Sequence, residues 1–270
     1  MRGAPAGGAT AQGMAVVEVL SLPKEADFAE GWYEIASDDH FWLRWRFNFL
    51  LQELRRLGID LERPQTGLDI GCGMGVVQQQ LQQATAWRAD GCDLNRWALA
   101  QHSTAAGRAL YYDITDRRAE LSGAYDFIVL FDVIEHIAET RPFIEAAVHH
   151  LKPGGYALVN VPACQAVYSR YDAVLGHCRR YDRPGLRRHL EEAGLAVVSM
   201  RYWGLLLLPV ALARKLYVDH MGSPEAIMKA GFAPPGRWAS ALLSSALATE
   251  SIFPAPPIGA SLLAIARRPG

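Results

Sequence analysis

Eight residues, Leu68-Asp69-Ile70-Gly71-Cys72-Gly73-Met74-Gly75, constrain the fold of this chain more than any others. An apolar segment runs into three glycines spaced by single residues, and a helical pattern follows. A strand that turns sharply into a helix needs positive φ and close backbone approach, and glycine supplies both. The helix N-terminus then offers free N–H groups and a partial positive charge. In an open α/β sheet, ligands bind outside the carboxyl ends of the strands, where such a turn sits. The spacing is GxGxG. Position 76 is Val, so it is not GxGxxG, and no Gly-Lys-Ser/Thr follows as in a P-loop.

Acidic residues close the next two apolar runs. Asp93 follows the candidate strand 87–92 and Asp113 follows 109–112. A carboxylate at the second strand end can accept hydrogen bonds from both ribose hydroxyls. Asp113 is placed to bond an adenine amino group. Further strands are read at 67–71, 126–131, 156–161 and 195–203. Helices lie between them: one after the glycine turn to about 83, one after Asn95, one capped by Thr140 with Pro142 in its first turn, and one from the Asp182 cap to Gly194. Lys152-Pro153-Gly154-Gly155 reads as the turn into 156–161. This alternation predicts an α/β fold with a doubly wound, mostly parallel sheet.

Residues 37–57 read as an amphipathic helix. Leu43, Phe47, Leu50, Leu54 and Leu57 share one face, Ser37 or Asp38 caps the start, and Gly58 ends it. Phe41, Trp42 and Trp45 lie off that stripe, as a second buried face or a pocket wall. Residues 204–259 break the strand–helix rhythm with apolar helical stretches at 205–217 and 237–252, and 260–267 is the last strand. A tail at 1–13 precedes a single domain over 14–270, and Met14 offers a second start.

Composition excludes several classes. The chain has 270 residues, 50% hydrophobic and 20% charged, with a net charge of −1. A disordered chain carries fewer apolar residues and more net charge, and a nucleic-acid binder needs a basic surface. The four cysteines form no CxxC pair and fit no zinc spacing, so they read as small hydrophobes. The longest apolar run, 204–213, contains Pro209 and is half the roughly 20 residues of a spanning helix. The expected location is cytoplasmic.

LDIGCGMG, GCDLN around Asp93, YYDITD around Asp113, FDVIEHI at 131–137 and LKPGGYALVNVP at 151–162 resemble the motifs of class I S-adenosylmethionine-dependent methyltransferases. The segment HCRRYDRPGLRRHLEEAGL is similar to a small-molecule subgroup with a GHxRRY-type segment. The resemblance covers about 40–203 and the last strand. It implies a Rossmann-like, seven-stranded sheet with the last strand antiparallel, and S-adenosylmethionine as cofactor, leaving S-adenosylhomocysteine. Gly71 and Gly73 would face the methionine part and Asp69 its amino group. Asp93, with Leu94 beside it, would hold the ribose, and Asp113 with Ile114 would flank the adenine. Phe131 and Asp132 would line the cofactor near the sulfonium.

Methyl transfer needs an aligned nucleophile and a proton acceptor. His136 and His177 are the candidate bases, since imidazole titrates near neutral pH. Each has a structural alternative, as a helix approach or a brace for the cofactor loop. Asp132, Glu135 and His136 resemble a carboxylate–carboxylate–histidine arrangement that some ubiquinone-pathway O-methyltransferases use for a divalent ion. Such clusters are common without one, and no metal is assigned. Arg180 and Tyr181 are candidate substrate contacts. Arg187 and Arg188 read as a solvated face pairing Glu191.

The acceptor implied is small or lipid-like, methylated on O or N rather than C. The stretch 204–253 serves as a lid, a surface for peripheral membrane contact, or ordinary packing; the oligomeric state is open. The competing readings are a nucleotide-linked oxidoreductase, which GxGxG disfavours, and a non-catalytic module that keeps the cofactor fold.

Overall fold

A computed structural model describes residues 16–24, 41–102, 107–227, 243, 245, 250 and 256–270. The proposed caps Ser37 and Asp38, the tail at 1–13 and most of the helical stretch 237–252 lie outside them. The strands are β1 (Val17–Val19), β2 (Thr66–Ile70), β3 (Arg88–Asp93), β4 (Ala109–Tyr111), β5 (Tyr125–Phe131), β6 (Leu151–Pro162), β7 (Ala196–Trp203) and β8 (Ser261–Arg267). They form one sheet in the order β1-β4-β3-β2-β5-β6-β8-β7. The pairings are parallel except those of β8, which runs antiparallel to both β6 and β7.

Seven of these strands answer to the expected sheet, antiparallel last strand included. The eighth, β1, is a correction. It extends the sheet at one edge, pairing Val17 with Ala109 and Val19 with Tyr111. Three residues with two exposed side chains give no alternation to read.

Helices cover both faces: α1 (Phe41–Arg56), α2 (Val76–Ala84), α3 (Arg96–Ala100), α4 (Thr140–His149), α5 (Arg170–Val174), α6 (Arg183–Glu192) and α7 (Leu208–Val218). The period-2 geometry of β5 divides the core in two. Ile128 and Leu130 pack with Ile144 and Leu186 on one face. Phe127, Val129 and Phe131 pack with Leu50, Leu54 and Leu81 on the other. A strand buried on both faces must be continuously apolar, which is why DFIVLF was recognisable. Each such side chain contributes roughly 1.5–3 kcal/mol relative to exposure.

The stripe Leu43, Phe47, Leu50, Leu54 is buried as the spacing predicts. Glu53 fixes the helix to β7. It is buried, accepts from Arg56, Arg201 and Ser199, and joins Arg201 at 2.8 Å. Trp42 packs on Trp203, with centroids 4.6 Å apart, so this aromatic belongs to a second packed face.

Two local expectations change. Thr140 does not cap α4; Glu139 occupies the N-cap position, and the Thr140 hydroxyl donates to the Ile137 carbonyl. Lys152–Gly155 is not a free turn. It lies inside β6, where Gly154 takes φ 79° and the register with β5 shifts. Asp182 caps α6 through Gly185 N–H, as expected. After β7, Gly204 (φ 74°) leads through a short 3-10 turn into α7. Glu250 accepts from the N–H groups of Leu205 and Leu206 at that start.

Candidate active site

The chain runs from β2 outward through β3 and β4, then returns to the other side of β2 with β5. That reversal opens a crevice at the carboxyl edge between β2 and β5. The motif residues Asp69, Gly71, Asp93, Asp113 and Asp132 all sit at that edge.

The glycine turn is held from below. The N–H groups of Gly71 and Cys72 both donate to the Cys92 carbonyl, at 2.8 and 3.1 Å. Gly71, Gly73 and Gly75 take φ of 73°, 54° and 84°. A Cβ on Gly71 would lie 2.7 Å from Val133 Cγ2. Gly75 is the N-cap of α2 and brings no side-chain acceptor to its first N–H groups.

The acidic residues differ in state. Asp69 is buried, its Oδ2 has no hydrogen-bond partner, and burial pushes its pKa up to about 7 against the pull of Arg46. Asp93 lies across the turn: Oδ2 accepts from Gly73 N–H and Oδ1 from Asn95 N–H, both at 2.8 Å. Desolvation raises its pKa, opposed by those N–H groups. Leu94 is partly buried beside it. Asp113 caps the 3-10 turn Ile114–Asp116 through Thr115 N–H and also pairs with Lys24. Burial raises its pKa, but Lys24 and Thr115 outweigh that and leave it lowered. Ile114 is a core residue.

Phe131 and Asp132 close β5. Asp132 has φ 57°, the left-handed region, and both of its oxygens are engaged. Arg46 Nη1 reaches Oδ2 at 2.6 Å and Asn160 Nδ2 reaches Oδ1 at 2.7 Å. Trp203 Nε1 donates to Asn160 in turn. The Arg46 guanidinium lies 4.8 Å from the centre of the Phe131 ring. Sequence reasoning missed Arg46. Its signal was position: it is three residues after Leu43 and four before Leu50, so a charge occupies the buried side of α1.

Beyond Asp132 the chain brings the two histidines together. The His136 and His177 rings meet edge to face, with centroids 4.7 Å apart. Burial, and then His177, push the His136 pKa down to about 4. His177 Nδ1 lies 3.0 Å from Asp172 Oδ1, and Asp172 is fully buried. Arg180 binds the same carboxylate at 2.8 Å and the Ala163 carbonyl. Despite the burial cost, His177 and Arg180 hold the Asp172 carboxyl well below the usual range. Tyr181 is in the core, its hydroxyl donating to the Ile134 carbonyl. Arg187 pairs with Glu191 on the exposed face of α6, as expected. Asp172 carried no motif and was not singled out.

Glu135 completes the group. It is fully buried, and neither of its carboxylate oxygens has a hydrogen-bond partner. Its pKa is raised well above the usual range by burial and by Asp132. Cys178 N–H donates to its main-chain carbonyl at 2.7 Å, which ties the loop after α5 to the loop after β5.

The glycine turn, the acidic strand ends and the two imidazoles thus lie at one edge of the sheet. Residues 42–200 match the family described as "Methyltransferase domain", and the chain belongs to it. Among curated proteins it resembles the ubiquinone biosynthesis O-methyltransferase of Chromobacterium violaceum, 29% identical over 53% of this chain and 62% of that one. That of Cronobacter sakazakii is 30% identical over 33% of this chain and 39% of its own length. The matches thus span about two fifths to three fifths of these relatives. Among solved structures it resembles Haemonchus contortus phosphoethanolamine N-methyltransferase 2 in complex with S-adenosyl-L-methionine. The TM-score is 0.54 at 19% identity, over 87% of this chain and 58% of that one. It also resembles the Burkholderia thailandensis 1,6-didemethyltoxoflavin-N1-methyltransferase, with a TM-score of 0.52 at 16% identity, over 89% and 82%. These likenesses establish the α/β methyltransferase fold. No helix among the described residues is long and apolar enough to cross a membrane.

Proposed function

We propose that this chain is an S-adenosylmethionine-dependent methyltransferase acting on a hydroxyl of a small or lipid-like acceptor. The observation that carries this reading is Asp93, held open across the glycine turn by two N–H donors. Each oxygen keeps a lone pair, so the pair of ribose hydroxyls fits there. The unpartnered Asp69 Oδ2 suits the methionine ammonium, and the buried Arg46 suits its carboxylate. Gly71 and Gly73 leave room for that part of the cofactor. Asp113 and Ile114 flank the adenine, and Asp113 does so while paired to Lys24. Phe131 and Asp132 line the sulfonium side of the site, with Arg46 over the ring and paired to the carboxylate.

The cofactor supplies an activated methyl group, leaving as a neutral thioether. The chain's own task is to align the acceptor oxygen and take its proton. His136, unprotonated through neutral pH, and His177, oriented by Asp172, are the groups for it. Arg180 and Tyr181 act in this reading by positioning the His177 loop. An oxygen acceptor is favoured because the curated relatives are O-methyltransferases. A lipid-like one is favoured because α7 exposes Val210, Leu212, Leu216 and Tyr217, so peripheral membrane contact through 204–253 and a cytoplasmic setting belong to the same reading.

The test is calorimetry with S-adenosylmethionine and S-adenosylhomocysteine. Micromolar binding is expected. Asp93→Ala should weaken it by roughly 1.5–3 kcal/mol for each charge-assisted hydrogen bond lost. Unchanged affinity in the folded variant would remove the ribose assignment.

A further inference from the structure

Glu135 is fully buried, and among the described residues neither of its carboxyl oxygens has a hydrogen-bond partner. The chain carries the desolvation cost of this group with no contact that offsets it, so a partner from outside the chain is expected there. One atom each of Glu135, His136 and His177 lie within 4.8 Å of one another. Three atoms that close can all be reached from one point within about 2.8 Å of each, a hydrogen-bond length. The cluster has the dimensions of a seat for a single oxygen atom. Both imidazoles keep some solvent contact while Glu135 keeps none, so an entering oxygen meets the rings first and the acid last.

The three groups offer that oxygen different things. His177 Nδ1 lies 3.0 Å from the buried Asp172 carboxylate, so it carries the ring proton and Nε2 is an acceptor. Burial keeps the His136 ring neutral, with the carbonyls of Leu175 and Gly176 against it. Glu135 is the opposite case. Burial and Asp132 disfavour its ionised form, and Arg46 and Arg180 do not outweigh them. Tyr181 and Cys178 also face it, Cys178 through a main-chain hydrogen bond. An isolated buried carboxyl sheds its charge by keeping a proton, and then it has an O–H to give.

We infer that Glu135 is a catalytic residue of the methyl transfer, its carboxylic O–H donating to the acceptor oxygen while an imidazole takes that oxygen's own proton. This rests on the methyltransferase reading above. The acceptor O–H bond breaks and its proton passes to the imidazole nitrogen. One oxygen lone pair forms the new C–O bond as the C–S bond breaks, and the electron pair of that bond stays on sulfur. Glu135 keeps its proton throughout, shared with a second lone pair of the oxygen. The acid stabilises negative charge as it builds on that oxygen, which helps a weak imidazole base remove the proton. The same contact selects the acceptor. A hydroxyl oxygen has one lone pair for the acid and another for the methyl group. An amine nitrogen has a single lone pair, which the methyl group needs. Glu135 therefore makes the site favour oxygen over nitrogen.

The full chain is given S-adenosylmethionine labelled in its methyl group, with para-heptylphenol or para-heptylaniline as acceptor. These probes share a shape and differ in the accepting atom. Glu135→Gln retains an N–H donor and should lower phenol turnover only several-fold. Glu135→Leu should lower it about a hundredfold or more, and raise the aniline-to-phenol rate ratio about tenfold. The infrared difference between the native chain and Glu135→Gln at neutral pH should contain the carbonyl stretch of a protonated acid. Circular dichroism and S-adenosylhomocysteine binding report on folding. In a folded chain that binds S-adenosylhomocysteine, any of four results overturns this inference alone: no acid band, equal losses in the two variants, an unchanged ratio in Glu135→Leu, or methylation of neither probe. A folded chain that binds no S-adenosylhomocysteine overturns the methyltransferase reading instead.

Discussion

Arg46 and Asp132 stand 86 residues apart in the sequence and meet at 2.6 Å, Nη1 to Oδ2, at the carboxyl edge of the sheet. Through this pair the N-terminal helix α1 holds the residue that follows β5. Asp132 sits at φ 57°, a backbone region a non-glycine residue occupies only when its surroundings hold it there.

Removing one partner should therefore cost more than removing both. Arg46→Met leaves the Asp132 carboxylate with Asn160 alone, for a loss of about 1–3 kcal/mol in urea unfolding. The figure stays below that of a fully buried pair because Asp132 keeps some solvent contact. Arg46→Met with Asp132→Asn should recover part of the loss. A double variant as unstable as the sum of the singles would show that the pairing is not the cause.

Gly71→Ala faces two separate obstacles, a φ of 73° and a contact of 2.7 Å with Val133. The conformation alone costs about 1–2 kcal/mol. Adding Val133→Ala should relieve the contact and leave the conformational cost. Thermal melts of the three variants, with S-adenosylhomocysteine calorimetry, separate the effects. Full recovery in the double variant would mean the left-handed turn is not required.

Stability should depend on pH through His150. It is fully buried, with Nε2 2.8 Å from the Tyr112 hydroxyl and Nδ1 2.8 Å from the Ala146 carbonyl. Burial, reinforced by His149 and Arg117, pushes its pKa down to about 4, although the nearby carbonyls oppose the shift. Between pH 4 and the ordinary value of 6.5 the unfolded chain binds a proton that the folded chain refuses. This contribution is then intact above pH 6.5 and lost as pH falls toward 4, by roughly 3 kcal/mol in all. His150→Gln should flatten that part of the profile of urea midpoint against pH. Identical slopes in the two proteins would exclude His150 as the source.

The exposed apolar side of α7 gives a fourth expectation. Leu212 is 48% and Leu216 60% exposed. If that side meets lipid, Leu212→Glu with Leu216→Glu should reduce flotation with phosphatidylglycerol-containing vesicles several-fold and leave S-adenosylhomocysteine binding intact. Equal flotation of the two proteins would remove the membrane role.

The order of strands and the glycine turn were readable because local patterns create them. A doubly buried strand must be apolar, as residues 127–131 are, and a left-handed turn favours glycine, as at Gly71. The residues that sequence reasoning missed have partners far along the chain. Arg46 is one charge among many on a helix until β5 lies beside it. Asp172 reads as an ordinary acid until His177 and Arg180 fold back on it. β1 escaped notice because its pairing depends on the exposed edge of β4 rather than on its own three residues. Thr140 misled because a hydroxyl near a helix start competes for more than one backbone partner.

The placement of β8 between β6 and β7 has a consequence for assembly on the ribosome. Among the described residues, β7 is hydrogen-bonded in the sheet only to β8, and β8 is made more than 50 residues later. Until Ser261–Arg267 emerges, β6 keeps a bare edge and β7 has no neighbour in the sheet. Closing that gap is a long-range, slow event, and in the interval the nascent chain offers an apolar edge to other strands. A polypeptide released before Ser261 would carry the whole glycine turn and both histidines, yet it would be prone to aggregate.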